Sequence, residues 1–218
     1  RADVKTKHHI PENLLSYFLN PQYPRTEVDI FEKEGPQITG TTYLTDGYVI
    51  ATSSRSSLWN QRRPLTAYWG QLNNARYLQV RLLHEFYDFS AASIFIQQNK
   101  NNVLSVINFC TNGGDKHINI DILKKGKFVA KDLRLRFELG NCKKIDATLP
   151  AKENNVFTVV ADSGKMCIQL LEAKFDDLKG YWEKGSDGQN SWIDYVIYSG
   201  DEKDFDLTAV KQAVYAFA

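Results

Sequence analysis

The 218 residues are 43% hydrophobic and 24% charged, enough to bury a sizeable core, which excludes a disordered chain and fits one domain of the size β-sandwiches reach. Lysine and arginine number 27 against 26 aspartate and glutamate, and a net charge of +1 removes the sequence-independent attraction on which nucleic-acid and anionic-membrane binding depend. No apolar run reaches the length of a membrane-spanning helix, and the basic start Arg1–Lys5 leads into no signal-peptide apolar stretch.

Met166 is the single methionine and does not begin the chain, so a processed protein or a segment of a longer one is expected. Cys110, Cys142 and Cys167 are too few for a disulfide framework and show no C-x-x-C or Cys/His zinc spacing. They are expected as buried small hydrophobes, with one disulfide plus one free thiol open if the protein is exported.

The first predicted element is a short amphipathic helix over His9–Leu19. Pro11 suits its first position, Glu12 suits the positive end of its dipole, Leu14, Leu15, Phe18 and Leu19 form its apolar face, and Asn20-Pro21 stops it. The period then changes from 3.6 to 2. Strands are predicted over 27–32, 39–44, 47–53, 65–70, 77–82, 93–98, 103–110, 117–122, 133–139, 156–161, 166–171 and 192–198. In the clearest alternations, 77–82, 117–122 and 133–139, one face reads as wet and the other as dry. Turn residues such as Asp46-Gly47, Asn73-Asn74, Lys125-Gly126 and Ser163-Gly164 punctuate the strands and make neighbours antiparallel, because parallel pairs need long crossovers. Residues 174–190 read as a long loop carrying Tyr181 and Trp182, and the tail from Asp206 to Phe217 reads as a capped helix in preference to a last strand. The expected architecture is a mainly β, two-sheet antiparallel sandwich of about a dozen strands over residues 25–218, behind a helical lead-in over 1–24.

The stretch from Ser53 to Trp69 combines arginines, aromatics and amides between strands. Aromatic faces cover the C–H face of a pyranose, amides pair with vicinal hydroxyls, and guanidinium forks grip carboxylate or sulfate. Arg55, Trp59, Asn60, Arg62, Arg63, Tyr68 and Trp69 are therefore candidate glycan-binding residues, with an acidic glycan using all three types. The competing reading makes Trp59 and Trp69 core residues and pairs the arginines with Glu85 or Asp88 across neighbouring strands.

His84 and Tyr87 are candidates for an acid–base pair, with Glu85 and Asp88 beside them, although successive strand residues point to opposite faces. The run Asn112–His117 offers oxygen ligands without the spacing of a calcium loop and reads as a turn. His8-His9 reads as solvent-exposed. Walker, dinucleotide, H-E-x-x-H and G-x-S-x-G patterns are absent, and neither cofactor nor metal is expected.

The segments Thr42–Asp46, Trp59–Leu65 and Asp132–Glu138 together resemble the β-sandwich that follows an α-helical toroid in heparinase-like bacterial polysaccharide-active proteins. That resemblance covers about residues 25–200. It implies the C-terminal sheet region of a larger protein, an α-helical domain as partner within the same parent chain, an extracellular or periplasmic location, and a role as one wall of a polysaccharide cleft. It carries over no catalytic residue. The sequence thus reads as a carbohydrate-binding or cleft-forming domain. The alternatives are a lyase or glycoside hydrolase with its own His/Tyr pair, and a structural or interaction module.

Overall fold

The computed structural model describes residues 11, 13, 15, 19–32, 37–56, 63–71, 73–109, 122, 124–150, 156–211 and 213–218. Among these the chain is mainly β, in two antiparallel sheets. The first runs β1 (Arg25–Glu32), β2 (Ile38–Leu44), β3 (Tyr48–Ser53), β5 (Leu65–Gln71), β6 (Asn74–His84), β10 (Lys127–Gly140), β15 (Ser191–Asp206) and β14 (Tyr181–Ser186), with β7 (Tyr87–Asp88) paired to the end of β6. The second runs β11 (Asp146–Ala147), β12 (Val156–Ala161), β13 (Gly164–Phe175), β16 (Ala213–Phe217), β9 (Asn102–Asn108), β8 (Ser93–Asn99) and β4 (Arg55–Ser56).

Alternation places Leu78, Val80 and Leu82 of β6, Leu133, Leu135, Phe137 and Leu139 of β10, and Ile193, Tyr195 and Ile197 of β15 on the inner face of the nine-stranded sheet. They share one core with Ile94, Ile107, Phe157, Ile168, Tyr215 and Phe217 of the other sheet. Ring contacts join the layers: Phe157 to Trp182 at 4.9 Å, Phe137 to Phe217 at 5.3 Å, and Tyr195 to Tyr215 at 5.6 Å.

One strand changes phase. Phe128 and Ala130 point inward, yet so do Leu133 and Leu135, and the register with β15 slips between Ala130 and Asp132 and again between Leu133 and Arg134. The Glu85 carboxylate accepts the backbone N–H groups of Lys131 at 2.6 Å and Asp132 at 3.1 Å within this irregular stretch. Glu85 and Phe86, at φ of 50° and 68°, are the two central residues of the β6–β7 hairpin and meet the geometry of a type I′ turn. Partial burial raises the Glu85 pKa, but the two N–H donors and nearby cations outweigh it and hold the group below its ordinary value of 4.5. A depressed carboxylate stabilises the fold above its unfolded-state pKa and loses that contribution as pH falls through the folded-state value. Glu85→Gln is therefore expected to flatten the stability loss of the parent below about pH 4.5, read from urea midpoints between neutral and acid pH. An unchanged acid limb would reject this role for Glu85.

The helix expected over His9–Leu19 falls on residues of which only 11, 13, 15 and 19 are described. There Asn13, Leu15 and Leu19 have helical backbone and the Leu15 N–H donates to Pro11 O at 3.0 Å, but the rest of the span lies outside the described residues and no helix is among the named elements. The strand expected over 117–122 lies outside the described residues except Ile122, as does the Asn112–His117 turn. The stretch read as a long loop contains β14, where Trp182 points into the core and Lys184 donates to the Ala147 carbonyl at 2.7 Å. The tail is a strand. Asp206 caps only a short turn, accepting from Thr208 N–H at 3.0 Å, before β16 pairs with β13 and β9.

Candidate functional site: the outer face of the nine-stranded sheet

Registers align Glu27, Thr42, Ala51, Thr66, Gln79, Glu138 and Trp192 as successive cross-strand neighbours on the face turned away from the second sheet. Asp29, Gly40 and Ser53 form the adjoining row. Over β2, β3 and β5 these side chains are small, so the surface sinks into a cleft of about 540 Å³ lined by Glu27, Asp29, Phe31, Thr42, Ser53 and Arg63 among others. Gly40 lets the Phe31 ring lie close against the sheet, since a Cβ there would come within 2.3 Å of it.

Over β6, β10 and β15 the same face is filled by long charged groups. Asp194, fully buried, receives both forks of Arg136 at 2.9 and 2.8 Å and a bond from Arg134 at 2.9 Å. Arg134 also pairs with Asp132 and, at 2.5 Å, with Glu183. Phe86 covers the Arg134 guanidinium at 4.6 Å and Trp192 covers that of Arg136 at 4.2 Å. Burial works to lower the Arg134 pKa, but its three carboxylate partners hold it above the ordinary arginine value.

Arg63 stands where the two halves meet. Its Nη1 lies 4.0 Å from Asp88 Oδ1, and Asp88 is gripped by Arg81 at 2.9 and 3.0 Å. Arg81 also binds Glu138, which accepts from Gln79 Nε2 at 2.5 Å and from the Tyr77 hydroxyl at 3.4 Å. Partial burial and then the Glu138 charge raise the Tyr77 phenol above its usual range. The cleft wall is thus backed by a continuous polar network with Arg63 at its edge.

The candidate residues separate. Arg63 lines the cleft, and Tyr68 is half exposed on the same face with its ring 6.3 Å from Tyr77. Arg55 belongs to the other sheet, 5.5 Å over Phe95. Trp59, Asn60 and Arg62 lie outside the described residues. Trp69 is a core residue and not a surface platform: its indole packs against Gly164 of the second sheet and donates to the Ala161 carbonyl at 3.3 Å. His84 is buried against Phe89 and Phe128, and its Nε2 donates to Val129 O at 2.6 Å, whereas Tyr87 is 77% exposed. His84 and Tyr87 are direct cross-strand partners, and the Nε2 of His84 is committed to a carbonyl.

Glu27, Asp29, Phe31, Thr42 and Ser53 escape a reading that looks for arginine and tryptophan clusters. The signal that finds them is the outward set of three adjoining strands, which is acidic on one and small on the next two. Among the described residues no group of three or more His, Cys, Asp or Glu is placed to hold a metal, and no helix is long and apolar enough to cross a membrane. Cys142 is a buried free thiol pushed up to about 11 by burial, Cys167 is exposed and free, and Cys110 lies outside the described residues. No family model matches the chain, and neither a curated protein nor a solved structure matches it.

Proposed function

We propose that the chain is a glycan-binding β-sandwich whose binding groove is the cleft beside Arg63, with no catalytic step of its own. The observation that carries this is the lining itself. Among the described residues it combines carboxylate acceptors on β1, hydroxyls of Thr42, Ser53 and Thr66, the Arg63 guanidinium, and the exposed ring of Phe31 around a concave floor. Carboxylates and hydroxyls bond sugar hydroxyls, and an aromatic ring covers a pyranose face. Among the described residues, Glu27 and Asp29 against Arg63 favour an uncharged glycan over a uronate or sulfated one. Arg25, 3.3 Å from Glu27, tempers the acidity at one rim.

Glycan-array binding by the 218-residue chain, with release of reducing ends followed in the same wells, is expected to show neutral oligosaccharides retained and no product. Asp29→Ala is expected to weaken binding about tenfold, the worth of a hydrogen bond to a charged group, at an unchanged thermal midpoint. Product release would favour the lyase or hydrolase reading. Silence across the array would reject the cleft as a glycan site and favour a structural module.

A further inference from the structure

The solvent face of the seven-stranded sheet carries an apolar patch that the cleft does not use. Registers place Arg55, Phe95, Val106, Ala216 and Glu172 in one row, from edge strand β4 through β8, β9 and β16 to β13. At about 4.8 Å between strands the row is about 19 Å long. Phe95 and Leu104 are 42% and 44% exposed, and Leu171, at the irregularity beside Glu172, is 38% exposed. Contiguous apolar exposure in the middle of a sheet face marks an interaction surface.

The row reads cation, three apolar residues, anion. A second copy turned by 180° about an axis parallel to β9, lying between two stacked sheets, sets each Arg55 over the other copy's Glu172. Phe95 then meets Ala216, while Val106 and Leu104, on the axis, meet their own counterparts. The other in-plane axis, along the row, would stack arginine on arginine and glutamate on glutamate. Charge therefore selects one arrangement, and the residues forced to touch themselves are apolar, as an isologous contact requires. In the single chain Arg55 lies over the Phe95 ring and Glu172 pairs with Lys174 at 2.5 Å at a site where both side chains are about half exposed. We propose that two copies of this chain associate through the outer face of the seven-stranded sheet, leaving both clefts on the opposite faces open.

Sedimentation velocity of the full 218-residue chain across micromolar concentrations is expected to show a monomer–dimer equilibrium that weakens with added salt. Val106→Lys sets two lysines against each other on the axis and is expected to leave monomer throughout, at an unchanged thermal midpoint because the residue faces solvent. R55E and E172R are each expected to raise the dimer dissociation constant about tenfold, and the R55E/E172R double exchange to return it to within about threefold of the parent. A parent that stays monomeric would overturn the proposal. So would a dimer untouched by Val106→Lys, or a double exchange no tighter than the single ones.

Discussion

Asp194→Ala is expected to lower folding stability by about 3–5 kcal/mol, because removing one member of a buried ion cluster strands the charges it served. Asp194 has no exposed surface and is the shared acceptor of Arg134 and Arg136. Arg134 keeps Asp132 and Glu183, but Arg136 retains only the face of Trp192 among the contacts described above. Glu183, whose side chain is 41% exposed, makes the control, and its alanine variant is expected to cost at most about 1 kcal/mol. Urea unfolding with an unchanged m-value measures both. Equal and small losses would mean that the cluster is solvated and that Asp194 organises nothing.

Trp69→Ala carries the second large effect, about 3–5 kcal/mol from emptying a buried indole site. The ring is trapped between the sheets, and a Cβ on Gly164 would lie 2.5 Å from its Nε1. Gly164→Ala is therefore expected to destabilise the parent by about 1–3 kcal/mol through overpacking. It should be nearly neutral in the Trp69→Ala background, where the opposing ring is gone. A double-mutant cycle by thermal and urea unfolding reads the coupling. If Trp69 were a sugar platform, its alanine variant would keep its stability and lose only binding, so this one substitution separates the two roles assigned to that residue.

The difference was visible in the strand itself. Leu65, Ala67 and Trp69 occupy one phase of β5 and Thr66 and Tyr68 the other, so period two alone assigns Trp69 to the core and Tyr68 to the outer face. The same period located β6, β10 and β12, and with them the class of fold. It failed for Arg134, Arg136 and Glu138, which occupy the phase expected to be wet and yet are buried. Their partners Asp194 and Arg81 lie more than 50 residues away in the chain, and only the sheet order β6–β10–β15 brings those charges together. Burial of an ionic row is a property of the pairing and leaves no local mark in the sequence. Trp182 and Lys184 were hidden differently, since glycines on either side made a strand look like a loop. In the tail, Asp206 capped a turn as its type predicts, but alternating Val214, Tyr215, Ala216 and Phe217 were claimed by two neighbouring strands before a helix could use them. The cleft lining was half legible: Arg63 stood out, whereas Glu27 and Asp29 acquired meaning only once β1 lay beside the small residues of β2 and β3.

β1 walls the cleft and is also the outermost strand of its sheet, with Val28, Ile30 and Phe31 exposed, whereas every residue of β10 from Asp132 to Gly140 is buried. The free energy of local opening follows buried contact, so backbone amides in β1 are expected to trade hydrogen for deuterium well before those in β10. The groove is fenced on one side by an exposed edge strand and on the other by a row of paired charges. On the proposed reading, a bound glycan is therefore expected to slow exchange in β1 and to leave exchange in β10 unchanged.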